Sequence, residues 1–278
     1  MLTRTITAVL GFAVALWVIQ AGGVVFALTI LLLSMLALGE LYRMLKVKNI
    51  LIFTFIPIVT TVIAISGAMV NLPQLLGLVV VLGFITVFLH ALFHNHELNG
   101  DWFKSAAATI FVIVYVSILF PHFIFLRELP GSEITLNTLT FTHGEGFIWL
   151  VLLGTWASDT FAYLFGCAFG KRPLCPSVSP KKSIEGAAAG FCGCLLVMVY
   201  LGVNVMQLPL LATIGLGMLV AFSAPLGDLA ESLLKRYSGV KDSGKILPGH
   251  GGVLDRFDSL LFAVPLAYYY IEYFFIRG

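Results

Sequence analysis

Long apolar stretches, each closed by a short polar or glycine-containing break, recur along the whole chain. They fall at about 5–20, 22–42, 50–69, 73–93, 105–126, 147–168, 186–203, 207–224 and 259–276. A helix needs roughly 20 predominantly apolar residues to cross the hydrocarbon core of a bilayer. The pattern therefore predicts about nine spans, an all-α polytopic bundle, with 1–278 as a single integral membrane domain. The first two stretches are the least clearly separated, with only Ala21-Gly22-Gly23 between them. Met1-Leu2-Thr3-Arg4 and the apolar run behind it are read as an uncleaved first helix, because no convincing A-x-A site follows and further spans do. No period of 20–50 residues marks a solenoid or propeller, and no low-complexity segment interrupts the chain.

Composition agrees with that pattern. The chain is 59% hydrophobic and 11% charged, with a mean hydropathy of +1.01, whereas soluble domains carry about 25% charged residues. A water-soluble core is excluded. The four cysteines, Cys167, Cys175, Cys192 and Cys194, include a Cys-Gly-Cys inside an apolar run without a second pair, so they are read as small packing residues.

The net charge of +2 says little, but its distribution says more. With a cytoplasmic N-terminus and alternating helices, the inside segments hold 14 of the 16 basic residues, leaving only Arg127 and Arg277 outside. Cytoplasmic loops carry such an excess, so the asymmetry supports both the orientation and the number of spans. Two inside loops, about 169–185 and 225–258, are longer than a turn requires, and long loops in compact proteins are commonly functional. The outside loop at 127–146 has little clustered chemistry and reads as a cap or spacer.

The chemistry-bearing residues gather in those inside loops. Asp228, Glu231, Ser232, Lys235 and Arg236 recur at three- and four-residue spacing, which one helix would place on adjoining faces. Lys241, Asp242 and Lys245 follow, then Gly249-His250-Gly251-Gly252, whose small residues let backbone N–H groups approach an anion. Asp255, Arg256 and Asp258 open the last span, the two aspartates one turn apart. Carboxylates suit Mg²⁺, which keeps substrate phosphates in its coordination shell, and lysines and arginines beside them suit phosphate oxygens. The set describes a metal-assisted phosphate-chemistry site; the bland alternative is a solvated loop laced with ion pairs. Carboxylates at a membrane boundary cost at least ~2.5 kcal/mol without compensation, which weighs against that alternative. The 169–185 loop adds Lys171, Arg172, Lys181 and Lys182, which topology alone or anionic lipids would also explain. Asp159, inside the sixth stretch, is a functional candidate because intramembrane acids are costly, or a structural partner of Tyr163. The cluster His90, His94, His96 and Glu97 has zinc-ligand residue types but no partner elsewhere, and reads as an interfacial loop. No serine elbow, Walker loop or dinucleotide fingerprint is present, and nothing points to nucleic acid.

The stretch Ser232-x-Leu234-Lys235-Arg236-x4-Lys241-Asp242-x-Gly244-x2-Leu247-Pro248-x-His250-Gly251-Gly252-Val253-x-Asp255-Arg256-Phe257-Asp258 resembles, over all 27 residues, the signature of the phosphatidate cytidylyltransferases, or CDP-diacylglycerol synthases. The resemblance extends to Asp159-x3-Tyr163-x2-Gly166 and to Ser179-Pro180-Lys181-Lys182, after which Ser183-Ile184 stands where the family often has Thr-Trp. It implies that CTP and phosphatidate react to CDP-diacylglycerol and pyrophosphate, in a bacterial inner or plasma membrane with the site facing the cytoplasm. It implies a homodimer, and Mg²⁺ held by Asp228 and Asp255, with or without a second cation. Lys181, Lys182 and Lys241 would join those aspartates in catalysis. Ser232, Lys235, Arg236, Asp242, His250, Gly251, Gly252, Arg256, Asp258 and Asp159 would bind substrate. On this reading helices within 1–126 are mainly scaffold and 147–278 carries the site. Two rivals stand beside it: a CTP-dependent polyprenol or phytol kinase, which would need a base for its hydroxyl nucleophile, and a non-enzymatic transporter or scaffold. The signature disfavours the first. Inverted repeats would favour the second, and none is seen.

The orientation is testable by thiol labelling. A membrane-impermeant reagent should reach Cys175, and a cysteine placed at Lys245, from the cytosolic face only. Labelling of either from the opposite face would overturn the assignment of sides.

Overall fold

The computed structural model describes residues 2–94, 101–136, 139–246 and 251–276. It is 78% helical, so the all-α expectation holds in its essentials. The helices are α1 (Leu2–Ala21), α2 (Gly23–Val47), α3 (Phe55–Met69), α4 (Gln74–Phe93), α5 (Trp102–Val112) and α6 (Pro121–Arg127). These are followed by α7 (His143–Phe169), α8 (Ile184–Asn204), α9 (Leu210–Ser238) and α10 (Leu254–Ile271). Among the described residues, seven helical segments are long and apolar enough to cross a membrane, with Trp102–Arg127 counted as one, and two shorter apolar helices accompany them. Each of the nine apolar stretches is occupied by helix.

Helix α4 buries little of itself. In α4, Val79, Gly83, Val87 and Ala91 form an inward row at four-residue spacing, while Val80, Val81, Leu82, Phe84 and Ile85 are exposed. A helix that is apolar on every face is a membrane span rather than an amphipathic surface helix.

Two compact units make up the chain: Met1–Phe125 with Tyr237–Arg256, and Leu126–Arg236 with Phe257–Gly278. In the first, Phe53, Val87, Ala91, Ala106 and Ile113 form a core cluster with Trp102 and Ile110 against it. The backbone N–H of Phe53, before α3, donates to Thr109 Oγ1 on α5 at 3.1 Å. Where α5 widens into a π-helical turn at Ile113–Ile118, Ser117 Oγ meets Thr61 Oγ1 at 2.7 Å and Thr60 Oγ1 at 3.1 Å, all three residues buried. Hydrocarbon offers no partner to a polar group, so these hydroxyls satisfy one another and the Pro57 carbonyl.

In the second unit a hairpin of β1 (Glu133–Leu136) and β2 (Leu139–Thr142) leads into α7. Thr142 and Glu145 form a capping box at that helix start, and Arg127 Nη2 donates to Glu145 Oε1 at 2.7 Å. The 127–146 loop thus ends in an ordered cap. Helices α7 and α8 lie in close contact because α8 turns glycines toward α7: a Cβ at Gly190 would stand 2.7 Å from the Ser158 carbonyl oxygen. Tyr270 on α10 donates its hydroxyl to the Ala212 carbonyl of α9 at 3.0 Å.

Two departures from the sequence reading matter for the site. The 169–185 loop contains a second hairpin, β3 (Pro173–Cys175) paired antiparallel with β4 (Ser179–Ser183). The segment from 225 is helical through Ser238 despite Pro225, and among the described residues only 239–246 and 251–253 between α9 and α10 are non-helical. Hydropathy missed both because β4 is five residues of Ser, Pro and Lys, and because the end of α9 is polar where it leaves the apolar run.

The α7–α8 contact gives a stability test. Gly190→Val should lower the thermal midpoint in detergent by several degrees, since over-packing costs about 1–3 kcal/mol. Gly77→Val on α4, where a Cβ meets nothing within 4 Å, should leave it nearly unchanged. Equal shifts in the two variants would mean that the two helices can yield at Gly190.

Candidate functional site

In the unit of Leu126–Arg236 and Phe257–Gly278, the β3–β4 hairpin brings Lys182 to Asp228. Successive residues of a strand point to opposite faces, so β4 sends Lys182 inward and leaves Lys181 exposed. Lys182 Nζ pairs with Asp228 Oδ2, and Ser232, one helical turn on, donates to Asp228 Oδ1 at 3.3 Å. The hairpin is fixed at several points. Glu185 Oε2 accepts from the backbone N–H groups of Lys171 and Arg172 at 3.0 and 3.2 Å. Ser183 caps α8 by accepting from Gly186 N–H at 3.1 Å. Arg236 Nε donates to the Val178 carbonyl at 3.2 Å, so this signature arginine is partly engaged in holding the hairpin against α9.

Lys235 pairs with Glu231, which is 0% exposed. Spacing alone linked these residues; the structure adds that Glu231 lies buried and its cation lies on the same helix. Gly227, beside Asp228, packs against the backbone carbonyl of Asp258 and the Cα of Ser259 on α10, where any side chain would collide. That close approach sets Asp258 beside Asp228, and the charges of Asp228, Lys235 and Asp159 all reach Asp258. Asp159 lies on α7 on an exposed part of the helix surface.

Asp255 belongs to the unit of Met1–Phe125 with Tyr237–Arg256. Oδ2 of Asp255 accepts from Ser243 N–H at 2.9 Å and Gly252 N–H at 2.7 Å, and Ser243 Oγ stands within hydrogen-bond reach at 2.9 Å. Gly251 takes a positive φ of 85°, which glycine adopts without penalty, and a Cβ there would press on the Asp255 carboxylate. Lys241, Asp242 and Arg256 are exposed. His250 lies outside the described residues, as do His96 and Glu97 of the histidine cluster. Its remaining members, His90 and His94, stack at 4.2 Å.

One carboxylate here escaped the sequence analysis. Glu40 on α2 is 0% exposed. Its Oε1 accepts from Val253 N–H at 2.9 Å, and its Oε2 from Leu254 N–H and Ser243 Oγ, each at 3.0 Å. The first N–H groups of a helix have no intrahelical partner and attract anions, so Glu40 caps α10 from another helix. The glycine-rich segment expected to cradle an anion therefore gives its amides at 252–254 to two of the chain's own carboxylates. A signal was present: a lone acid in Leu-Ala-Leu-Gly-Glu40-Leu-Tyr, inside an apolar stretch, is a functional candidate by default.

Among the described residues no group of three or more His, Cys, Asp or Glu side chains converges as a ready-made metal cage. The four cysteines are unpaired, with Cys194 buried 3.8 Å from the Met198 sulfur.

The sequence profile of the Cytidylyltransferase family matches residues 2–274. A phosphatidate cytidylyltransferase of Staphylococcus epidermidis is 37% identical over 276 residues, covering 96% of this chain and 97% of that protein. The Staphylococcus saprophyticus protein of the same name is 37% identical over 279 residues, and the Staphylococcus aureus one 35% over 271, at the same coverages.

The Lys182–Asp228 pair should contribute little to folding. Its side chains are 30% and 27% exposed, so solvent screening limits the pair to about 1 kcal/mol at most. Lys182→Gln should then move the thermal midpoint by less than about 4 °C. A much larger loss would make the pair a structural fastener.

Proposed function

This chain belongs to the cytidylyltransferase family, and from that premise we infer that it transfers a cytidylyl group from CTP to phosphatidate, giving CDP-diacylglycerol and pyrophosphate. The observation that carries the reading is the unbroken signature from Ser232 to Asp258, within a match that spans nearly the whole chain.

The reaction asks little covalent chemistry of the protein. The phosphate of phosphatidate is ionised at neutral pH, so no general base is needed to make the nucleophile. What remains is to bring two polyanions together and to neutralise the departing pyrophosphate, a matter of positioning and electrostatics. Lys182, Lys181, Lys235, Arg236, Lys241 and Arg256 would divide the triphosphate and the lipid phosphate between them. Ser232, Asp242, His250, Gly251, Gly252, Asp258 and Asp159 would shape the substrate pocket.

Cytidylyl transfer uses a divalent cation, and we assign Mg²⁺ to Asp228 and Asp255. The residues fit such an ion. Each supplies hard oxygen donors, and two backbone hydrogen bonds to Oδ2, with the Ser243 hydroxyl beside it, hold the Asp255 carboxylate in one orientation. Mg²⁺ is typically held by one or two carboxylates plus substrate phosphates rather than by an all-protein cage, which suits carboxylates offered singly. When bound, such an ion would supply neutralisation of phosphate charge. Lys182 then has two roles open to it, as the cation on Asp228 and as a phosphate ligand.

The chain is an integral membrane protein. We place its N-terminus and its site on the cytoplasmic face, with about nine spans, from the skew of basic residues. CTP then arrives from the cytosol while the lipid enters laterally. We assign a mainly scaffolding role to the helices within 1–126, catalysis to 147–278, and a homodimeric assembly.

Purified full-length protein with labelled CTP and phosphatidic acid should form a liponucleotide; a lipid monophosphate plus CDP would indicate a kinase instead. Asp228→Asn and Asp255→Asn should each abolish nearly all turnover, and the double variant should be little worse, because groups acting as one unit are non-additive. If Asp255→Asn kept more than about a third of the wild-type rate at an unchanged Mg²⁺ requirement, the metal assignment would fail.

A further inference from the structure

We propose that Glu40 is a positioning residue for the reaction, holding Asp255 in place through Ser243 and through the first turn of α10. The inference rests on the reading above that Asp255 serves the catalytic centre.

The geometry is specific. Ser243 Oγ lies 3.0 Å from Glu40 Oε2 and 2.9 Å from Asp255 Oδ2. A serine hydroxyl has one proton, so it serves one of the two carboxylates at a time while touching both. The remaining bonds are divided without overlap. Glu40 keeps the amides of Val253 and Leu254, and Asp255 keeps those of Ser243 and Gly252. Loss of the hydroxyl proton to either partner therefore leaves the other still held by two backbone donors. The result is a fixed chain, α2–Glu40–Ser243–Asp255, in which Ser243 and the Gly252–Leu254 backbone are held by the same two carboxylates.

Packing shows that the clamp is tight. A Cβ on Gly244 or on Gly252 would collide with the Glu40 carboxylate, and one on Gly252 would also meet Ser243 Oγ. The signature glycines at 244 and 252 are thus explained by a carboxylate outside the signature. Ser243, the unspecified position between Asp242 and Gly244, becomes the link. A buried acid used only to cap a helix would not need the serine, and the serine would not need to reach Asp255. Groups that orient a metal-binding carboxylate in this way change metal affinity or activity about 10–100-fold when removed.

The test uses full-length protein in detergent with three variants: Glu40→Gln, Ser243→Ala and their combination. Hydrogen exchange at the amides of Ser243 and Gly252, measured without substrate or metal, reports the clamp itself. Glu40→Gln should speed exchange there at least about tenfold and raise the Mg²⁺ concentration for half-maximal turnover by about tenfold or more. Ser243→Ala should do the same while leaving the Val253 and Leu254 amides protected, and it keeps the inference testable if Glu40→Gln fails to accumulate. The double variant should be no worse than the poorer single one. A lowered thermal midpoint with unchanged exchange at Ser243 and Gly252 and unchanged Mg²⁺ activation would reduce Glu40 to a helix cap and overturn the proposal. Asp255→Asn reports separately on the reading beneath it. Retained Mg²⁺-dependent activity in that variant would sink the metal assignment, whatever the exchange rates of the Glu40 variants show.

Discussion

A charged group at the depth of a bilayer must find its partners within the chain, because the surrounding solvent offers none. That constraint accounts for the buried polar contacts that follow. Glu40, fully buried on α2, takes two backbone amides and a serine hydroxyl. Glu231, equally buried on α9, takes Lys235 one turn away. Thr60, Thr61 and Ser117 close on one another and on the Pro57 carbonyl where the helix loosens into a π turn. Removing one partner of a buried charge leaves the other uncompensated, at a cost of about 3–5 kcal/mol, so such groups are held in pairs and chains. Asp228 and Asp255 follow the same rule with more water-accessible surroundings. Their hydrogen-bond donors orient them as well as solvate them.

The second organising element is the removal of side chains where backbones must meet. Gly190 lets α8 lie against the Ser158 carbonyl of α7, and Gly227 lets α9 meet α10 at Asp258. Lipid supplies no hydrophobic drive between helices, so close van der Waals approach through small residues does that work. The consequence is functional as well as structural. Gly227 sets Asp228 beside Asp258, and the α7–α8 contact supports the hairpin that delivers Lys182. The candidate residues Asp228, Asp258 and Lys182 therefore stand beside helix contacts made through glycine.

Much of this was legible in the amino-acid sequence. Apolar run length is dictated by bilayer thickness and needs no tertiary knowledge, so each predicted stretch carries a helix. The asymmetry of basic residues and the 27-residue signature are equally local in origin, and the signature pointed to the family that the whole-chain match then showed. The sequence could not say which hydrogen bonds its polar residues make, because a carboxylate's partners are chosen by chain segments far apart. Glu40 and Leu254 are separated by more than 200 residues, and only folding places the start of α10 against α2. Strand pairing in the Ser179–Ser183 hairpin likewise depends on a partner strand rather than on its own weak apolar pattern, and that pairing separates Lys181 from Lys182. Composition and periodicity determined that this is a membrane-spanning bundle, and the signature residues pointed to phosphate chemistry. The tertiary structure alone decided which donors orient which carboxylate, since that choice is made by distance in space and not along the chain.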